Sequence, residues 1–238
     1  MRKLDVVYFL KEDTDSDEIR YSLRSIEENF PHARVWFVGG RPRGLTPDMQ
    51  LYVKQDEPMK WENVRNMMRT VCRCSEISED FWLFNDDFFI LEPWEGEGNR
   101  YNNMLHDHIV HIERRHGNVQ SSYTRRLRQC EKLLAAHGYA TYNYAIHCPM
   151  LINRKKMLVT LNAFPKCPMF RSLYGNMWRN EFGDINQRDN KIAGETGQAV
   201  GEWCSTTDAS FRSGLVGDQI RHQFQKPSRY EDSHAEVG

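Results

Sequence analysis

The chain is 238 residues long, with 32 basic and 33 acidic side chains, a formal charge of −1 and 12% aromatic residues. That length suits one large α/β domain over residues 1–238, able to bury most of its apolar surface without disulfide help, and the charge balance by itself points to no partner. No run approaches the ~20 apolar residues that span a bilayer, and Met1-Arg2-Lys3-Leu4-Asp5 lacks a signal-peptide core, which predicts a cytoplasmic protein that does not insert into membranes.

Leu4 to Leu10 is nearly all apolar, the pattern of a strand buried on both faces. A polar stretch, Glu12 to Asp17, leads into a helix that Asp15 or Ser16 can cap, with Ile19, Leu23, Ile26 and Phe30 at helical spacing and Pro31 as its stop. Arg34 to Val38 is a second strand, ended by Gly39-Gly40. A short strand at Leu51 to Val53, a helix over residues 61–73 and a strand at Phe81 to Phe84 follow. This order predicts a mostly parallel sheet with helices on its faces. Such sheets bind ligands at the carboxyl ends of their strands, which is where Asn85-Asp86-Asp87 falls.

After the acidic loop Glu92 to Gly98, residues 100–137 read as two helical pieces parted near Gly117-Asn118, with seven Lys/Arg, three Asp/Glu and five His. This stretch is either a solvated face or a surface that meets an anionic acceptor. Tyr139 to His147 reads as a strand, Asn153 to Leu161 as a helix and Arg212 to Phe224 as another, with the last residues frayed. The six cysteines are scattered. The C-x-C of Cys72 and Cys74 is the wrong spacing for a zinc knuckle or a thioredoxin-like pair, so reduced thiols are expected.

Adjacent carboxylates at the end of an apolar strand are costly unless a cation or a substrate compensates them. Asp86 and Asp87 sit between Phe84 and the wall Phe88-Phe89-Ile90-Leu91. A hard divalent ion bridging a diphosphate is the natural compensation. Read as D-x-D with Asn first, Asn85 contacts the nucleotide ribose and Asp87 faces the metal. The same residues also suit a tight turn.

Three blocks, Asp5-Val6-Val7-Tyr8, Glu18-Ile19-Arg20-Tyr21-Ser22-Leu23-Arg24-Ser25-Ile26-Glu27 and Phe81-Trp82-Leu83-Phe84-Asn85-Asp86-Asp87-Phe88-Phe89, resemble the blocks of the Stealth family. That family contains capsule sugar-phosphate transferases and the lysosomal-enzyme phosphotransferase, and the chain also resembles shorter bacteriophage glycosyltransferases. Ile146-His147-Cys148-Pro149-Met150 looks like the family's H-x-P block, which supplies an active-site histidine. Phe170-Arg171-Ser172-Leu173-Tyr174-Gly175-Asn176 looks like the block that supplies an arginine, whose planar fork suits diphosphate oxygens. Two departures stand out: Asp5 to Asp17 runs into the Arg20 helix without the family's long insertion, and Met150 replaces the second His of H-x-P-H.

The resemblance implies a GT-A-like sheet, a nucleotide-sugar half at 1–92 and an acceptor half at 93–238. It implies glycosyl transfer from a nucleoside diphosphate sugar, a UDP-sugar favoured, with Mn2+ or Mg2+ at Asp87. His147 or Asp86 takes the acceptor's proton and Arg171 offsets charge on the leaving diphosphate. Tyr8, Asn85, Arg20 and Arg24 are assigned to the donor. Arg20 and Arg24, four apart on one helical face, equally suit pairing with Asp17, Glu27 or Glu28. Ser205-Thr206-Thr207-Asp208 can bind sugar hydroxyls, although capping of the next helix by Asp208 or Ser210 is the simpler reading. Lys226 to Arg229 can close over the diphosphate or remain a solvated terminus. The acceptor is a hydroxymethylated DNA base met by segment 100–137, in a phage-infected cytoplasm, or a phage structural protein or surface glycan. The rival readings are a sugar-1-phosphate transferase and a non-catalytic nucleotide-sugar-binding module.

Overall fold

The computed structural model describes residues 3–12, 17–96, 98–116, 121–179, 181 and 183–232. The proposed caps Asp15 and Ser16, the Gly117-Asn118 break and the chain after Asp232 lie outside them. The first half runs β1 (Leu4–Leu10), α1 (Asp17–Asn29), β2 (His32–Gly39), β3 (Met49–Leu51), α2 (Lys60–Arg73), β4 (Asp80–Phe84) and β5 (Phe88–Ile90). Then come β6 (Arg100–Tyr101), α3 (Leu105–His116), α4 (Ser122–Ala136), β7 (Met150–Asn153), α5 (Arg154–Ala163) and α6 (Phe170–Met177). Last are β8 (Ile185–Asn186), β9 (Lys191–Ile192), β10 (Trp203–Thr206), α7 (Asp208–Ser213) and α8 (Leu215–Gln223).

The main sheet has the order β3-β2-β1-β4-β7. Its first four strands are parallel, and β7 runs antiparallel to β4. The expected mostly parallel sheet flanked by helices is therefore present. Alternation along β1 makes its two faces: Val6 and Tyr8 pack with Ile19, Leu23 and Ile26 of α1, while Val7 packs with Met67, Met68 and Val71 of α2. β1 pairs with β2 on one side and β4 on the other. Its carboxyl end is thus a point where strand order reverses, the place where open α/β sheets leave a crevice.

Two small sheets, β5-β10-β9 and β6-β8, stand beside the main one. β5 continues from the Asn85-Asp86-Asp87 turn and pairs antiparallel with β10, which pairs with β9. The chain near residue 190 is thereby drawn back to the acidic turn. Asp5 lies at the opposite, amino-terminal end of β1, fully buried, where its carboxylate accepts from Arg34, Trp36 Nε1 and the Ser78 backbone N–H. It braces the base of the sheet.

Residues 139–147 do not form the expected strand; beyond an isolated bridge from Tyr142 to Met104 their backbone is irregular. Side chains take over the work of a ladder. Asn176 bonds both the N–H and the C=O of Tyr142, and Ser172 Oγ accepts from the Tyr144 N–H at 3.2 Å. Gly175 lets α6 approach the Tyr144 ring, since a Cβ there would lie 2.4 Å from it. This clamp fixes the segment that carries His147. The helix after β10 is capped by Thr207 rather than Asp208, with Ser210 completing a capping box.

Candidate active site

A cavity of about 1520 Å³ opens at the carboxyl ends of β1 and β4. Its floor is Phe9, Leu10, Leu83, Asn85 and Asp86, and the start of α2 contributes Lys60 and Asn63. Across from these stand His108, Tyr123, His147, Arg171 and Asp189. Glu18, Asp208 and Arg212 close a third side.

His147 and Asp189 form a dyad. The His147 backbone N–H donates to Asp189 Oδ1 at 3.0 Å, and its ring Nδ1 lies 2.9 Å from Oδ2. An ionised carboxylate only accepts, so in the neutral ring Nδ1 carries the hydrogen and Nε2 keeps its lone pair. Burial raises the Asp189 pKa, but the bonds from His147 more than offset that and leave it below the ordinary carboxylate value. Asp189 therefore remains an acceptor and fixes the tautomer. His108, whose pKa is lowered by burial, stands near this pair and hydrogen-bonds Tyr123 at 3.4 Å. Arg171 donates to the Cys148 carbonyl next to His147 and lies 6.0 Å from the centre of the Phe88 ring.

On the cavity floor Asp86 is pushed up from the ordinary value by burial and then by the neighbouring Asp87 carboxylate. Glu18 is raised to about 7 by burial, with Asp87, Asp86 and Asp208 adding to the effect while the Thr206 hydroxyl, 2.7 Å away, opposes it. A carboxyl group that holds its proton more tightly when folded contributes stability present below its unfolded value of about 4.5, lost as pH rises toward 7. Glu18→Gln should therefore gain on the parent chain in urea stability as pH rises between those two values. A constant difference across that range would mean that Glu18 is solvated.

The remaining predicted residues fall elsewhere. Tyr8 is completely buried beneath the cavity, its hydroxyl 2.8 Å from Ser22 Oγ, so it supports the floor and does not reach a donor. Arg20 and Arg24 lie outside the cavity lining because Glu231 holds both: Arg24 makes a two-pronged contact at 2.7 Å, and Arg20 Nη1 lies 2.9 Å away. That partner is 207 positions from Arg24, while Arg20 also keeps Asp17, one of the local partners expected from helical spacing, at 3.8 Å. Arg229 is also engaged away from the cavity, with Tyr230 and Asp48. In segment 100–137 the α3 and α4 helices pack through Leu105, Ile109, Leu127, Cys130 and Leu134. Arg114, Arg115 and Arg125 are exposed, while Arg100 is buried.

Asp87 does not present the open carboxylate expected of a metal ligand. Its Oδ2 accepts from Lys191 Nζ at 2.5 Å and from Ser205 Oγ at 2.9 Å, and Oδ1 is enclosed without a partner. Among the described residues no group of three or more His, Cys, Asp or Glu is arranged to hold a metal ion. With Oδ2 taken by Lys191 and Ser205, Asp87 does not fit the predicted role of an open ligand for Mn2+ or Mg2+. None of the six cysteines is in a disulfide, and no described helix is long and apolar enough to cross a membrane.

Sequence reasoning missed Asp189 and Lys191. Both lie in the polar run Asn186-Gln187-Arg188-Asp189-Asn190-Lys191, which has no periodicity to mark it.

No family model and no curated protein sequence matches the chain. Among solved structures it is similar to the glycosyltransferase GlyE of Streptococcus pneumoniae TIGR4, at 10% identity and a TM-score of 0.39, covering 78% of this chain and 45% of GlyE. The chain thus spans under half the length of that protein. It is also similar to the galactosyltransferase LgtC in complex with donor and acceptor sugar analogues, at 12% identity and a TM-score of 0.42, covering 80% of this chain and 76% of LgtC. An active-site mutant of LgtC gives 10% identity and a TM-score of 0.44, covering 80% of this chain and 75% of the mutant.

Proposed function

We propose that the chain is a GT-A-like glycosyltransferase that moves a sugar from a nucleoside diphosphate sugar, a UDP-sugar favoured, to an acceptor hydroxyl. One observation carries this reading: the His147–Asp189 dyad shares a strand-end cavity with Asn85, Asp86 and Arg171. The resemblance of the sequence blocks to sugar-nucleotide transferases agrees with it.

In the proposed reaction the acceptor oxygen attacks the anomeric carbon of the donor. The bond from that carbon to the diphosphate breaks, and its electron pair leaves on the phosphate oxygen. His147 Nε2 takes the hydroxyl proton as the new bond forms, and Asp189 stabilises the imidazolium that results. Arg171 offsets charge developing on the leaving group. Asn85 is assigned to the donor ribose, and Asp86, beside it on the floor, to a sugar hydroxyl. Arg20, Arg24 and Tyr8 have no direct part, since their polar groups are engaged outside the cavity.

The wall made by α3 and α4 meets the acceptor through His108 and Tyr123. A modified DNA base is one acceptor to test, with the exposed Arg114, Arg115 and Arg125 as backbone contacts; protein and glycan acceptors are the alternatives. A donor screen by mass spectrometry against these acceptors tests the assignment. Stoichiometric nucleoside diphosphate supports glycosyl transfer. Nucleoside monophosphate would establish sugar-phosphate transfer in its place.

A further inference from the structure

Position 87 was expected to take a metal, and the chain has put an ammonium group there. On β9 the alternation sends Ile192 into the apolar cluster of Phe89, Cys204 and Phe211, which leaves Lys191 on the other face. Lys191 is paired in register with Ser205, and the two side chains meet on one oxygen of Asp87. A carboxylate oxygen that already accepts from an ammonium and a hydroxyl is a poor ligand for a hard cation, which needs six or more oxygens around it. Lys191 is not sealed in, for its side chain keeps 25% of its exposure. Lys191 itself is not in the cavity lining, but Asp86, the neighbour of the Asp87 that holds it, lines the floor. Asp189, two positions earlier on the same stretch, lines the cavity as well.

We propose that Lys191, held by Asp87 and Ser205, supplies the positive charge that meets the leaving diphosphate, so that transfer needs no bound divalent ion. The inference rests on the sugar-nucleotide reading for its substrate. The ammonium stays protonated throughout and receives no group; it neutralises charge on the departing phosphate oxygen as the bond to the sugar breaks. Asp87 is then a positioning residue for a lysine.

The test pairs a binding measurement that needs no donor with a turnover measurement. Mn2+ is titrated into the whole chain and into Lys191→Met by electron paramagnetic resonance. The parent is expected to leave Mn2+ free, and Lys191→Met to bind it, because Asp87 is released. Turnover of the parent on its donor should be unchanged by EDTA. Lys191→Met should lose about 10²–10³-fold in kcat, the scale of removing one charge-stabilising group, with Lys191→Arg partly restoring it. Both variants are checked for native circular dichroism. Tight Mn2+ binding by the parent, loss of turnover in EDTA, or parental turnover in Lys191→Met would each overturn the proposal. If Mn2+ binds only after Lys191 is replaced but no sugar nucleotide is consumed, the functional reading fails and the lysine-for-metal assignment stands.

Discussion

His147→Ala should lower kcat by about 10²–10⁴-fold, the range expected for loss of a positioned general base, while the KM for the donor changes little. The reason is geometric. The ring is held by Asp189 at Nδ1, so Nε2 is the atom left for a proton. Asp189→Asn should lower kcat comparably without removing any ring atom, because an amide can donate to Nδ1 and force the hydrogen onto Nε2. The two residues act as a unit, so the double variant should be little worse than either single one. Steady-state kinetics on the four chains checks this. Additive losses, or a rise in KM alone, would make His147 a binding contact and not the base.

Glu231→Ala should lower stability by about 3 kcal/mol, the lower end for breaking a buried ion pair from one side, and Tm by roughly 6–12 °C. Glu231 and Arg24 side chains are 7% and 10% exposed, so Arg24 would keep its charge and lose the carboxylate that answers it, while the Phe224 and Gln225 carbonyls of the tail still accept from it. The effect also has a pH signature. Burial raises the Glu231 pKa, but bonds from Arg24, the Ser228 backbone and Arg20 outweigh it and leave a value of about 2 against an ordinary 4.5. A depressed carboxyl contributes stability that is present above its unfolded value and lost as pH falls through the folded one. The gap between parent and Glu231→Ala should therefore be full above pH 4.5 and close between there and about pH 2. Denaturant titrations across that window measure it. A gap independent of pH would mean that packing, and not the ion pair, holds the tail.

The parts of the molecule that could be read from sequence are those where local pattern and tertiary role agree. The apolar run of β1, the spacing of Ile19, Leu23 and Ile26 in α1 and the short run of β4 each name their own partners by periodicity. The mostly parallel sheet follows from the alternation of strands and helices, and with it the place of Asn85-Asp86 at the carboxyl end of a strand. Tyr139 to His147 misled because its aromatic residues mimic a strand, whereas Asn176 and Ser172 hold that backbone in an irregular path. β7 is only Met150–Asn153, too short to stand out beside the Cys148-Pro149 turn. The site divides in the same way. Asp86 and His147 could be picked out by their neighbours in the chain, but Asp189 lies 42 positions from His147, and Lys191 lies 104 from Asp87. Their meaning comes from the pairing of β5, β10 and β9, which a one-dimensional pattern does not encode. Arg20 and Arg24 show both cases: helical spacing offered Arg20 its partner Asp17 on α1, and the folded chain added Glu231, which holds both arginines.

The central claim is that the cavity at the ends of β1 and β4 transfers a sugar from a nucleotide donor with His147 as base. It is tested most directly by incubating the chain with a UDP-sugar panel and the acceptor set, and quantifying nucleotide products by mass spectrometry for the parent and His147→Ala. Nucleoside diphosphate is expected in an amount equal to glycosylated acceptor, falling by about 10²-fold or more in the variant. Nucleoside monophosphate as the product, or equal turnover by the two chains, would contradict it.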